Sequence, residues 1–432
     1  MYKYLYRWQP KRSIIMNITV VGGGNIGTQF AVHCAEKGHS VRLFTSNPDH
    51  FAKHLTIVDK LGAAIHEGDI EFATSNPHKA FHDADMIMIT MPPTMMIPLA
   101  QVIYENTDRD TVIGFVPGNG GFELAFRDCI ERGNVFFGID RVPAIARLIE
   151  RGKTVCCSGY KSELYVGALP SDHAEECAAL IESIYDIPCV RLPGFMALTL
   201  TPSNPILHTT RLMTIFRDYE PGVTYETLPL FYEDWDDASS ELLMACDDEI
   251  QEICHALPGF GLEYVVSERE FYNAKTAKEM TRAIRTEESL SGLTTPSVRS
   301  DAFRSKGRGL SGFRRERMQR WLHLEQHARR RSEWRTTIEK IRGRHDESES
   351  RTDSPGLIPD LHSRYFTADF PYGLFVIRQI GDIAGVQMPN INMLIGWYDN
   401  IALVNDKLYL SDYGISNMDD LKEFYLRGNY FK

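Results

Sequence analysis

Gly22-Gly23-Gly24-Asn25-Ile26-Gly27 is the stretch whose residue types and spacing point most directly to chemistry. In a GxGxxG turn, Gly22 permits the sharp bend, Gly24 lets backbone approach a pyrophosphate and Gly27 lets a helix pack close to a strand. The helix amino terminus at Asn25 and Ile26 then faces the phosphates. Cofactor choice is read where the next strand ends: an acidic residue there would hold the ribose hydroxyls of NAD, but the chain offers Thr45, Ser46 and Asn47, with Arg42 a little earlier. Neutral hydroxyls do not repel a 2′-phosphate, so NADP is the expected cofactor and NAD the second choice; the competing reading is that these residues only cap the next helix. Far downstream, His208 sits three residues past an Asn204-Pro205 break. Alone, a histidine on a helix is more often structural than catalytic. Asn204 either contacts substrate or nicotinamide, or caps the helix that Pro205 begins.

These residues need elements to position them. Residues 16 to 21 form a β-branched run suited to a buried parallel strand, Phe30, Ala31, Cys34 and Ala35 recur at helical spacing, Gly38 ends that helix, and residues 40 to 44 make a second strand. Strands over 85 to 90 and 111 to 116 run into the loops Met91-Pro92-Pro93 and Pro117-Gly118-Asn119-Gly120-Gly121. Open α/β sheets bind ligands at this edge, so Pro92 and Asn119 are expected to flank the nicotinamide, the alternative being turns with no ligand. Further strands at 134 to 138, 154 to 158 and 164 to 168 are expected to complete the first domain near residue 193. Beyond 195 the pattern becomes amphipathic: over 239 to 256, Leu242, Leu243, Ala245, Cys246, Ile250, Ile253 and Cys254 share one stripe. The expected architecture is α/β, an amino-terminal Rossmann-like doubly wound sheet (16–193) followed by an all-helical carboxy-terminal domain (194–432), with residues 1–15 as an extension.

Asn204-Pro205-Ile206-Leu207-His208, taken with Arg364-Tyr365-Phe366-Thr367-Ala368-Asp369-Phe370-Pro371-Tyr372-Gly373, resembles the octopine/nopaline (opine) dehydrogenase family. The resemblance covers about 16 to 295 and 356 to 432. It implies that His208 and Asp369 are the catalytic pair and that Arg364 holds the carboxylate of a 2-oxo acid. It implies reductive condensation of that acid, pyruvate for example, with an amino acid or amine to give a secondary amine. Physical need agrees with the residue types: a guanidinium grips carboxylates bidentately, an imidazole titrates near neutral pH, and a carboxylate fixes its tautomer. A simple 2-oxo acid or ketopantoate-type reductase is the alternative. A third reading is a catalytically silent NADP-binding protein that contacts an anionic partner.

Composition sets the remaining limits. With 432 residues, 43% of them hydrophobic and 24% charged, the chain can bury more than one core and is not a disordered protein. Its eight cysteines show neither a CxxC pair nor metal-ligand spacing, so reduced thiols, a cytoplasmic location and no metal site are expected. Lys3, Arg7, Lys11 and Arg12 interrupt the first fifteen residues, unlike a secretory signal, and Pro92, Pro93 and Pro98 break the uncharged run 86 to 104, unlike a membrane span. The expected partners are therefore small-molecule substrates, not nucleic acid or membrane, and a homodimer is left open. Net charge −11 hides a basic segment, with 16 Lys+Arg against 8 Asp+Glu between Arg299 and Arg351. This insertion, about 297–355, exceeds the family's short connection; a disordered surface loop, a contact for an anionic partner and a sequence artefact are its three readings. The acidic run Glu233-Asp234-Trp235-Asp236-Asp237 and Tyr225 are secondary candidates for substrate contact. His33, His173 and His255 have no motif partner and are expected to be structural or exposed.

Overall fold

The structure is a computed structural model and describes residues 15–287, 290–301, 356–402 and 407–426. Residues 1–14 of the expected extension and 302–355 of the expected insertion lie outside the described residues. In chain order the strands are β1 (Asn17–Val21), β2 (Ser40–Phe44), β3 (His54–Val58), β4 (Ala64–Asp69), β5 (Phe72–Thr74), β6 (Met86–Ile89), β7 (Val112–Phe115), β8 (Phe136–Ile139), β9 (Ile145–Glu150), β10 (Thr154–Ser158), β11 (Leu164–Leu169), β12 (Cys189–Arg191), β13 (Ser297–Arg299) and β14 (Leu357–Pro359).

Eight of them form one sheet in the order β12-β11-β8-β7-β6-β1-β2-β5. From β5 to β8 the six strands are parallel, in the 3-2-1-4-5-6 order of dinucleotide-binding sheets. The antiparallel strand β11 follows β8, and β12 runs parallel to β11. Strands β6, β7 and β8 are buried at every position, as expected of a sheet covered on both faces. Helix α1 (Asn25–Glu36) follows β1 directly and ends ahead of Gly38, whose φ of +86° suits glycine.

Of the strands expected over 134 to 138, 154 to 158 and 164 to 168, the first and last join this sheet as β8 and β11, whereas β10 belongs to a second, four-stranded sheet ordered β4-β3-β10-β9. Its strands explain why: β10 alternates buried with half-buried positions and β4 has no buried position, the pattern of a sheet open on one side. The second sheet lies on α1. A Cβ at Gly68 in β4 would meet Cβ of Ala35 at 2.6 Å and O of Val32 at 3.1 Å, so this contact requires glycine.

After Arg191 the chain turns helical, with helices Asn204–Ile215, Asp237–Ala256, Ala277–Arg285, Phe375–Ala384, Pro389–Ile401 and Met418–Tyr425. Among the described residues no helix is long and apolar enough to cross a membrane. A buried carboxylate ties this half to the sheet: Glu123 Oε1 accepts from Thr199 Oγ1 and from the Tyr425 hydroxyl, both at 2.6 Å. The chain falls into two compact units. Met1–Pro221, Pro229–Pro296 and Asp360–Lys432 form the first, which holds both sheets and these helices. Gly222–Leu228 and Ser297–Pro359 form the second. In it β13 pairs antiparallel with β14, Ser297 opposite Pro359 and Arg299 opposite Leu357, and the Tyr225 amide donates to Leu357 O at 2.8 Å.

Candidate active site

The glycine turn has the shape a pyrophosphate requires. Gly22 has φ +104°, a Cβ at Gly27 would meet Gly22 O at 1.8 Å, and a Cβ at Gly24 would meet nothing within 4 Å, so the open side of the turn is at Gly24. No side chain caps α1, which leaves the leading amides of Asn25 and Ile26 to bind an anion. The Asn25 side chain accepts from the Leu148 amide at 2.9 Å and so anchors the second sheet to this turn.

At the end of β2, Thr45 is buried and Ser46 Oγ accepts from Asn47 Nδ2 at 3.1 Å. No side chain caps the short turn Pro48–His50 that follows, so the capping alternative is not what these residues do. Arg42 is committed elsewhere: its guanidinium meets Asp83 Oδ1 at 2.6 Å and Glu71 Oε2 at 3.2 Å. The loops with Pro92 and Asn119 leave the carboxyl ends of β6 and β7, beside β1. Met91 packs on Gly22, and Pro93 Cγ lies 3.7 Å from the Cβ position of Gly120, so the two loops meet at the glycine turn.

The helical half brings its two motifs together at that edge. Tyr365–Leu374 is a π-helix with Pro371 inside it, a rare form that recurs at functional sites. Its i→i+5 pattern stacks residues five apart, whereas in an α-helix they would point about 140° apart. Arg364 and Asp369, five apart, therefore share a face. Gly373 seats this helix on helix Asn204–Ile215, since a Cβ there would meet Pro205 Cγ at 2.8 Å. The turn Pro93–Met95 lies against the π-helix, placing it beside the Pro92 loop.

His208 is 2% exposed, and its Nδ1 lies 2.7 Å from Asp369 Oδ2. Its Nε2 lies 2.8 Å from the Tyr232 hydroxyl. Burial lowers the imidazole pKa and outweighs the opposing pull of Asp369, while the Arg364 charge lowers it further. The resting ring is thus neutral: Nδ1–H donates to the carboxylate, and Nε2 accepts from the phenol. The Tyr365 ring packs edge-on to His208 at 4.5 Å and lies under the Arg364 guanidinium at 5.3 Å. Arg364 is exposed and forms no salt bridge among the described residues, so its fork is available to a carboxylate. Desolvation works against its charge, but Asp369, Tyr365 and Tyr232 outweigh that and raise its pKa.

Asn204 is the first residue of its helix, and no side chain caps that helix. Ser203 before it has φ +68° and ψ −135°, a strained conformation for a serine, held by its amide donating to Glu268 Oε1 at 2.6 Å. The acidic run has a structural role: Asp236 pairs at 3.1 Å with buried Arg211, and Glu233 accepts from Ser291 Oγ at 2.6 Å. Arg211 also donates to Phe231 O at 3.0 Å and Asp234 O at 2.6 Å, fixing the segment that carries Tyr232. Sequence reasoning missed both Tyr232 and Arg211. Arg211 follows His208 by one helical turn, the only local signal that pointed to it.

A dinucleotide sheet whose carboxyl edge meets a buried imidazole–carboxylate pair and a guanidinium with no salt bridge among the described residues defines a nicotinamide-dependent oxidoreductase. The family described as NAD/NADP octopine/nopaline dehydrogenase, alpha-helical domain, matches residues 191–402, and the NAD-dependent glycerol-3-phosphate dehydrogenase N-terminus matches 17–118. A protein of Sinorhizobium fredii, y4xO, is 31% identical over 269 residues, spanning 56% of this chain and 68% of the relative. Octopine dehydrogenase of Mizuhopecten yessoensis is 23% identical over 94% of both chains. The solved structure of an octopine dehydrogenase with NADH and L-arginine shares the fold, with TM-score 0.69 and 21% identity over 96% of this chain and 99% of that one. The chain belongs to the octopine/nopaline dehydrogenase family and is an NAD(P)-dependent oxidoreductase of the type acting on CH–NH donors.

Proposed function

We propose that the protein reductively condenses a 2-oxo acid of pyruvate size with the amino group of an amino acid or amine, giving an N-(carboxyalkyl) amino acid or amine, and that it prefers NADPH to NADH. On this reading residues 16–193 hold the cofactor and 194–432 the substrates. The observation that carries it is the convergence of a neutral, carboxylate-bound His208 with Arg364, which forms no salt bridge among the described residues and directly precedes the helix that carries Asp369.

Arg364 grips the oxo acid carboxylate. The substrate amine arrives as an ammonium and takes the place of the Tyr232 hydroxyl as donor to Nε2. His208 removes one proton, and Asp369 stabilises the imidazolium. The free amine adds to the carbonyl, the carbinolamine forms, and His208 returns the proton to the departing hydroxyl as water. The bound nicotinamide supplies the hydride that the resulting iminium carbon receives. Thr45 and Ser46 support the NADPH preference, since neither repels a 2′-phosphate.

The test is oxidation of NADPH and NADH with pyruvate plus an amino-acid panel, with mass detection of the secondary amine. Oxo acid consumption that needs no amine would establish a simple reductase instead.

A further inference from the structure

We propose that His33, Glu36 and His66 form a binding site for a divalent transition metal ion, zinc foremost, that clamps the second sheet onto α1. One ligand atom from each residue lies within 4.8 Å of the others. A four-coordinate zinc with bonds of about 2.0–2.1 Å holds its ligand atoms roughly 3.3 Å apart, so modest side-chain rotation closes the set. Two imidazoles and a carboxylate are borderline ligands that favour zinc, cobalt or nickel over magnesium or calcium.

The fold builds this site from two elements. His33 and Glu36 are one turn apart on α1, and His66 comes from β4, brought down by the Gly68 contact. His66 Nδ1 and Glu36 Oε2 stand 2.8 Å apart, and the rings of His33 and His66 are 4.5 Å between centroids. The Tyr160 hydroxyl sits 3.1 Å from His33 Nε2, and its ring flanks both imidazoles. Burial, with His66 and Lys37 adding to it, keeps His33 neutral, its pKa lowered to about 3, so its lone pair is present at any physiological pH. Thirty residues separate Glu36 from His66, which is why no ligand spacing is visible in the sequence.

The test uses full-length protein stripped with a chelator and titrated with Co2+. The expected result is one equivalent bound with visible d–d absorption, displaced by Zn2+, and a rise of several degrees in Tm at about 100-fold excess over Kd. His33 is buried, so the decisive variants are His66→Ala and Glu36→Gln at more accessible positions; each should weaken binding at least about 10-fold and abolish the Tm rise. Failure of Co2+, Ni2+ and Zn2+ to bind in the micromolar range, or binding that both variants leave unchanged, overturns the proposal. The condensation assay reads separately, so the two assignments fail independently.

Discussion

His208 is pinned at both ring nitrogens, and the two partners predict different kinetics. Asp369→Asn leaves the geometry but presents the wrong hydrogen-bonding group to Nδ1, so kcat should fall by about 10³–10⁴. The same change removes the group that raises the imidazole pKa; the acid limb of kcat/KM, already below the ordinary 6.5, should move to still lower pH. Tyr232→Phe keeps the packing against Trp235 yet removes a donor that substrate is proposed to displace. Its kcat should change by less than about 10-fold, whereas a large loss would make the phenol a proton relay. Arg364→Lys keeps charge but loses the planar fork, so KM for the oxo acid should rise more than kcat falls. Steady-state kinetics with each substrate varied decides all three.

Arg364 and Asp369 were legible in the sequence because both lie inside one motif, but the reason for their spacing was not. Only the π-helix makes a five-residue interval face-preserving, and Gly373 makes it fit. Gly373→Ala drives a methyl group into Pro205; a loss of about 1–3 kcal/mol in denaturant unfolding is expected, with a fall in kcat as Asp369 moves from His208. A smaller effect on kcat than on stability would mean that the pair re-forms. Much of the main sheet was legible for a related reason: β1, β6 and β7 are short apolar runs that lead into glycine or proline, whereas the three-residue edge strands β5 and β12 carry no such signal. The second sheet was not, because β4 and β9 carry mostly exposed or half-exposed residues that lack that signal, and of its strands only β10 was expected. Tyr232 sits in a loop with no periodicity, where only the tertiary bonds of Arg211 fix it.

At the scale of the molecule, two buried acids behind the site shape its response to pH. Burial raises Glu268 to about 7 and Asp247 to about 6, and the Asp247 carboxylate accepts from the Glu268 amide. Both folded values exceed the unfolded ones. Their contribution is therefore complete below the unfolded values of 4.5 and 3.8 and is lost as pH rises through about 6 and 7. For Glu268 the difference is worth roughly 3 kcal/mol. Glu268→Gln keeps an acceptor for the Ser203 amide without an ionisable group, so Tm should fall less between about pH 5 and 8 than in the parent. Equal slopes would place the acid's titration elsewhere.

The pairing of β13 with β14 sets Arg299 opposite Leu357, and the Ser300 amide donates to Gly356 O at 2.9 Å. Chain departs and returns a single strand-width apart, which makes the stem a socket: a plug of any length fits without re-registering the ladder. Exchanging residues 302–355 for a two-residue Asn-Gly turn should leave turnover within about twofold, because the β13–β14 ladder that holds the two ends is kept intact. On that outcome the connection is one that evolution can lengthen or trim without renegotiating the chemistry.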